Sequence, residues 1–364
     1  MGDRYCIDSH KITCHPARIA EWLNAGDDWE KLKKIYPIYV EVSPYGGCNH
    51  RCVFCAVDYV GYQNIQWDET RLRIILAEMG SLGIKSVMFG GEGEPLLWKP
   101  LPGVLSYCSV QGIDTALTTN MVAMRADYVD ELVRNLSWMK ISINAGTPES
   151  YAKIHRTQEK DFDRTLKNIE LVIKTKKQNN YDCVVGAQML LLPENIDEAV
   201  TLAKKMKELG VDYVVIKPYS QHLYSETKRY ENLTYESMMD LELELKTLED
   251  RGFDVVFRSQ TMNLLVGDQD RYQKCYSTPF FWAYVMTDGS LYGCSAYLKQ
   301  DEFCYGNLNQ AGFKELWEGE RRKKNVEYVR KQLDIKQCRV NCRMDKVNRY
   351  LWELKNPNKH VNFI

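Results

Sequence analysis

The stretch Tyr45-Gly46-Gly47-Cys48-Asn49-His50-Arg51-Cys52-Val53-Phe54-Cys55 decides how this chain is read. Its cysteines follow the spacing Cys-x3-Cys-x2-Cys and supply three thiolates, where a closed metal site uses four. In a cubic iron–sulfur cluster each iron takes a protein thiolate, so three local cysteines leave one iron open. An open position marks a reactive metal site rather than a structural one. Positions 48, 52 and 55 would also line one face of a helix, where buried thiols are ordinary core residues. Gly46 and Gly47 argue against helix before Cys48, and the stretch follows a strand-like run, Ile38–Val42. Zinc is the other alternative. It needs a fourth ligand nearby, and His50 is too close in sequence to be a comfortable one.

The bulk numbers narrow the class. The chain has 364 residues, enough for a large core and two domains. Lys+Arg is 48 against Asp+Glu 49, so no basic footprint for nucleic acid and no polybasic membrane patch is expected. No apolar run approaches membrane-spanning length. The start, Met1-Gly2-Asp3-Arg4-Tyr5-Cys6, lacks an export signal. With no such signal, the 12 cysteines read as metal ligands rather than disulfides, and the expected location is the cytoplasm.

Three regions are expected. Residues 1–37 form an N-terminal extension with a short helix over Pro16–Asn24, Pro near its start. Residues 38–258 alternate strand-like and helix-like segments. The strands are expected at Ile38–Val42, Ser86–Phe89, Asp114–Thr118, Met139–Ile143, Cys183–Met189 and Tyr213–Ile216, with Phe253–Phe257 a candidate seventh. Alternation with helices such as Thr70–Met79, Phe162–Lys174 and Asp197–Leu209 predicts an α/β fold with a parallel sheet. About six repeats suggest a partial (β/α)6 TIM-like barrel, with ligands at the carboxyl ends of the strands. In residues 259–364 cysteines become frequent, and Phe281–Cys294 reads as a hairpin around Asp288-Gly289.

The cysteine triplet in this strand-end context resembles the radical SAM superfamily. Phe54 adds to the resemblance, since the family usually has an aromatic residue there. The resemblance implies a [4Fe-4S] cluster on Cys48, Cys52 and Cys55 whose open iron binds the amino and carboxylate groups of S-adenosylmethionine (SAM). Strand two ends in Phe89-Gly90-Gly91-Glu92-Gly93-Glu94-Pro95-Leu96, where glycines allow close backbone approach. There the family carries a Gly-Gly-Glu type motif that receives the SAM ammonium. Gly90-Gly91-Glu92 and Gly93-Glu94-Pro95 both align, so either Glu92 or Glu94 faces SAM. Asn120 ends strand three. Ser142 and Asn144 share one face at the end of strand four by period-two spacing. The family commonly uses such a pair on SAM, with Asp more usual than Asn at position 144. Gln188 on strand five joins this cofactor-binding set. Lys217 to His222 follow strand six. Arg156 is expected over the barrel mouth, as a solvent-facing arginine or a substrate anchor.

A second cysteine set, Cys275, Cys294, Cys338 and Cys342, with Tyr305-Gly306-Asn307-Leu308 between its pairs, resembles the auxiliary-cluster extension called SPASM or its shortened form, twitch. No cysteine follows Cys342, which favours the shorter form with one auxiliary [4Fe-4S] cluster. The Cys338-x3-Cys342 spacing departs from the usual Cys-x2-Cys, and Cys304 is a possible replacement ligand. A four-cysteine structural zinc is the alternative. Asp345, Asn348 and Arg349 fall on one helix face, either toward substrate or as a surface stripe.

The resemblance implies an enzyme that cleaves SAM reductively and lets a deoxyadenosyl radical abstract hydrogen from a small-molecule substrate. An electron donor such as flavodoxin or ferredoxin is implied. The favoured substrate is a sugar or sugar nucleotide, in line with the resemblance of residues 338–364 to members tied to carbohydrate modification. Dehydrogenation would pass an electron to the auxiliary cluster, with His222 or His155 as base. Epimerisation would use Cys183 or Cys304 as hydrogen donor. A maturase of a ribosomally made peptide is the alternative, weighed against by the short N-terminal extension. A non-catalytic iron–sulfur electron carrier is another, and it gives the glycine-rich loop no purpose.

Overall fold

The computed structural model of the protein describes residues 4–235, 238–266 and 271–363. Met1–Asp3 of the N-terminal extension and the terminal Ile364 lie outside these. The strands are β1 (Tyr39–Val42), β2 (Ser86–Phe89), β3 (Asp114–Thr119), β4 (Leu136–Ser142), β5 (Val184–Leu191), β6 (Tyr213–Pro218), β7 (Asp254–Phe257), β8 (Trp282–Val285), β9 (Ser290–Tyr292) and β10 (Cys304–Asn307). They form one sheet in the order β10-β9-β8-β1-β2-β3-β4-β5-β6-β7. Pairing is parallel from β8 through β1 to β7, and antiparallel for β8–β9 and β9–β10.

The strands alternate with a two-residue period, and the two faces differ in kind. Val40, Val42, Val87, Phe89, Met139, Ile141, Val185, Ala187, Met189, Val214 and Ile216 point outward and are buried in the main core. Fully burying one such side chain contributes about 1.5–3 kcal/mol. Glu41, Met88, Thr118, Lys140, Ser142, Gln188 and Lys217 point the other way and line an internal cavity. The helices Glu69–Ser81, Leu101–Val110, Val129–Asn135, Lys160–Asn179 and Ala199–Leu209 cross between successive strands. Their ends are set locally. Asp68 accepts from the Arg71 amide (2.8 Å), and Gly210 takes the left-handed φ (+83°) that stops the last of them.

The candidate seventh strand is present as β7, and β8 comes from the C-terminal region to pair with β1. The tail bridges β1 and the loops after β6 and β7. Arg343 pairs with Glu41 on β1, Arg339 donates to the Ser220 carbonyl after β6 (2.6 Å), and Lys346 reaches Gln260 after β7 (3.4 Å). The N-terminal segment joins from below. Tyr5 and Ile7 pack on Tyr213, Val215 and Val256, and Asp8 pairs with Arg258 at 2.9 Å.

Candidate active site

From the end of β1 the chain runs as irregular backbone to Cys55, held by three neighbouring loops. The Arg51 amide donates to the His155 carbonyl (3.1 Å) and the Val53 amide to that of Ile154 (2.9 Å), tying the cysteines to the end of helix Pro148–His155. Asn120 after β3 donates to the Asn49 side chain (2.8 Å). The Glu94 amide donates to the Gly47 carbonyl (2.9 Å). At Gly93 the two loops touch backbone to backbone: a Cβ there would lie 2.2 Å from the Gly47 oxygen and 2.4 Å from that of Tyr45. Gly93→Ala is therefore expected to destabilise the fold by about 1–3 kcal/mol, the usual cost of overpacking. It should also loosen the cysteine loop, read as a lower melting temperature and faster loss of iron to a chelator. A variant that keeps both at wild-type values would show that this contact does not seat the loop.

Cys48, Cys52 and Cys55 are free thiols that line the cavity. Burial pushes Cys48 up to about 12 and raises Cys52 and Cys55 as well, and Cys55 and Cys48 in turn act on Cys52. Such thiols ionise when a metal replaces their protons. The set fits a cluster held by three thiolates with its fourth corner toward the cavity.

His155 backs this set. Its Nε2 accepts from the Asn144 amide at 3.3 Å, which leaves the proton on Nδ1, 3.2 Å from the Cys52 sulfur. Burial lowers its pKa well below the usual value, so the ring is a neutral donor to that sulfur. His50 lies 5.2 Å away, ring to ring, with neither nitrogen hydrogen-bonded. The ligand atoms of His50, Cys52 and His155 fall within 4.8 Å of one another, a group that would by itself also suit a divalent cation.

The other expected cofactor residues divide. Phe54, Gly91, Glu92, Gly93, Glu94, Asn120, Ser142 and Gln188 line the cavity. Gly91 has φ +115°, and a Cβ there would meet Ser43 at 2.4 Å. Burial raises both Glu92 and Glu94 to about 7. Glu94 accepts from the Thr119 hydroxyl (2.5 Å) and from the amides of Leu96 (3.1 Å) and Asn120 (2.8 Å). Glu92 accepts from the Thr287 amide through one oxygen (3.0 Å). Asn144 does not line the cavity. It lies beyond the end of β4, so the two-residue alternation no longer applies, and its side chain accepts from the Leu190 amide (2.6 Å) and faces His155.

Arg156 is exposed and takes φ +48° as the cap of its helix, outside the cavity. His222 does line it, stacked on Tyr59, with Nε2 3.4 Å from the Ser295 carbonyl and Nδ1 accepting from Tyr224 (3.3 Å). Burial lowers His222 to about 4, so it is neutral at pH 7 with both nitrogens engaged. Cys183 is buried at the amino end of β5, near Lys176 and Asp212, and Cys304 sits beside Tyr292. Neither lines the cavity. Among the described thiols outside the two cysteine sets, only Cys6 does.

Cys275, Cys294, Cys338 and Cys342 converge on the far wall of the same cavity. Burial raises Cys294, Cys338 and Cys342, and each of them also feels Cys275. Asn348 fixes the Cys275 loop, accepting from the Ser277 amide (3.1 Å) and donating to the Lys274 carbonyl (3.0 Å). Asn348 is thus fully buried. Asp345 lines the cavity, paired with Arg349 at 2.8 Å. Four thiols lining one cavity would suffice to close the shell of an auxiliary cluster.

Comparison with known proteins agrees with this geometry. The family model of the radical SAM superfamily matches residues 42–206, and that of an iron–sulfur cluster-binding domain, SPASM, matches residues 275–343. The chain is a member of the radical SAM superfamily and carries a SPASM domain. These domains imply a [4Fe-4S] cluster, SAM and an auxiliary cluster. The chain is 26% identical over 201 residues to a GTP 3',8-cyclase of Chlorobaculum tepidum, covering 53% of this chain and 57% of that protein. It is 30% identical over 116 residues to an S-adenosylmethionine-dependent nucleotide dehydratase of Lacinutrix mariniflava, covering 30% of this chain and 24% of that protein. It thus spans less than two thirds of either relative. Among solved structures, SuiB of Streptococcus suis bound to precursor peptide SuiA aligns with TM-score 0.66 at 16% identity, over 85% of this chain and 72% of that chain. Native anSMEcpe with bound AdoMet aligns with TM-score 0.59 at 18% identity, over 88% of this chain and 95% of that one. At these identities the structures show the fold alone. No helix among the described residues is long and apolar enough to cross a membrane.

Proposed function

We propose that this radical SAM enzyme abstracts hydrogen from a sugar carbon of a small molecule, a sugar or sugar nucleotide, with dehydrogenation or epimerisation as the outcome. The observation that carries the reading is a single cavity of about 800 Å³ lined both by Cys48, Cys52 and Cys55 and by the four auxiliary cysteines. When bound, the SAM-ligated cluster supplies hydrogen-atom abstraction from an unactivated carbon, and the auxiliary cluster an acceptor for the electron left behind. The residues of the chain do the rest. Glu92, with carboxylate capacity that Glu94 has committed to its three donors, is assigned to the SAM ammonium. Ser142 and Gln188, paired across β4 and β5, offer hydroxyl and amide groups to ribose or substrate oxygens. The buried walls exclude water from the reacting carbon.

The two relatives whose names specify nucleotides support a nucleotide-bearing substrate. Cys183 and Cys304 lie off the cavity, so epimerisation would need Cys6 as the returning thiol, and dehydrogenation is the favoured arm. An external reductant such as flavodoxin or ferredoxin completes the cycle. A peptide maturase remains the alternative, since SuiB shares the fold. The test is anaerobic incubation of the reconstituted enzyme with ring-deuterated sugar nucleotides. Deuterium is expected in 5'-deoxyadenosine with one of them. Transfer only from a peptide would replace this reading by the alternative.

A further inference from the structure

Four cations line the β4–β7 side of the cavity. Lys140 is on β4, Lys217 on β6, Arg258 directly follows β7, and Arg339 lies between Cys338 and Cys342; all four line the cavity. Lys140 aligns with Gly186 and Lys217 with Leu190, the two positions flanking Gln188 on the strand between them. Their charges reach one another. Burial, then Lys140, Arg258 and Arg339, hold Lys217 well below the usual lysine range. Burial and Arg258 bring Lys140 down to about 8.

Two of the four cations are compensated within the protein. Arg258 pairs with Asp8 at 2.9 Å, and Arg339 donates to the carbonyl (2.6 Å) and hydroxyl (3.2 Å) of Ser220. Lys217 has no hydrogen-bond or ion-pair partner among the described residues, and Lys140 has only the face of the Trp138 ring, with its Nζ 6.0 Å from the centroid. The carboxylates of the cavity wall are engaged elsewhere: Glu41 with Arg343, Asp345 with Arg349, Glu94 with its three donors and Glu92 with Thr287. Both lysines are half-buried, and cationic groups drawn together without a counter-charge are costly, since buried charges are ordinarily paired. Among the described residues no carboxylate pairs with either lysine, so an anion from outside would complete the arrangement.

We infer that Lys140 and Lys217, backed by Arg258 and Arg339, form the receptor for a diphosphate group on the substrate. Two lysines that a bound anion would hold in the ammonium form match the charge of a diphosphate better than that of a single carboxylate, and lysine is a point-charge binder of phosphate. The diphosphate would lie along Gln188, with the sugar held between it and the SAM side of the chamber. This assignment rests on reading the cavity as the substrate chamber.

The test is anaerobic calorimetry on the cluster-loaded protein at pH 7 and low salt, with pyrophosphate, UDP and glucuronate as probes. Pyrophosphate and UDP are expected to bind, and glucuronate to bind more weakly. Lys140→Met and Lys217→Met should each weaken UDP at least about tenfold, the scale of one charged hydrogen bond. Lys217→Arg, which keeps the charge, should retain most of the binding. Both Met variants should melt no lower than wild type, since they remove an unpaired charge, and this separates lost binding from lost folding. Absence of UDP and pyrophosphate binding, binding unmoved by the Met variants, or glucuronate binding tighter than UDP each overturns the diphosphate receptor. Wild type that makes 5'-deoxyadenosine yet binds neither phosphate probe leaves the enzyme reading intact and sinks only this site. Wild type that binds UDP through the lysines yet never cleaves SAM does the reverse.

Discussion

Cys52→Ala protein, reconstituted without air, is expected to form no 5'-deoxyadenosine from SAM in the presence of dithionite. Cys52 is the central thiol of the triplet and the one His155 addresses, so its removal leaves two ligands for a cluster that needs three. Loss of a group that merely orients a ligand typically costs 10–100-fold in metal affinity. Loss of the ligand itself should exceed that and take cleavage to background. The fold should survive, because the backbone ties of this loop run through the Arg51 and Val53 amides, and only the His155 contact goes with the sulfur. An unchanged far-ultraviolet circular dichroism spectrum would check this. The two samples also decide between an iron–sulfur cluster on the triplet and a divalent cation on the His50–Cys52–His155 group. Wild type should turn brown and the variant lose about half its iron, the share of one cluster of two. Cleavage retained in the variant, or a wild type that takes zinc and stays colourless, would refute the assignment of the triplet.

Cys275→Ala combined with Cys294→Ala should do the converse. It should empty the auxiliary site and leave the SAM cluster in place, because the two sets share no residue and come from separate segments of the chain. Iron should again fall by about half, this time with SAM cleavage preserved and product formation from the true substrate lost. Removing a buried structural zinc instead would leave iron unchanged and lower the melting temperature, so an unaltered iron content would end the auxiliary-cluster assignment. Asn348 bonds the Lys274–Ser277 backbone rather than Cys275 itself, so the loop should keep its place and the readout should report metal rather than collapse.

What could be read from the chain beforehand follows contact range. The cysteine triplet lies within eight residues, and strand–helix alternation is a local pattern, so both were legible. The limits of β5 were not. It runs on to Leu191 because Leu190 and Leu191 pair with Lys217 and Pro218. Helix Leu101–Val110 escaped because its sequence, Leu-Pro-Gly-Val-Leu-Ser-Tyr-Cys-Ser-Val, has no charged face to mark a period. Asn144 was misplaced by carrying the strand period past Ser142. The His155–Cys52 contact spans 103 residues and has no local signal. Lys140 did have one: a lysine inside the otherwise mostly apolar run of β4, at the same parity as Ser142. It acquires meaning only once the inner face is known to border a cavity rather than a second layer of core.

The underside of the barrel interior is covered by Tyr5, Ile7 and Asp8, all supplied by chain that precedes the first strand, with Asp8 paired to Arg258 after β7. None of the sheet's backbone ladder depends on that stretch. The reach of the chamber is consequently adjustable at one end of the polypeptide, by trading a few aromatic or aliphatic residues there, while strand register and both metal walls stay as they are.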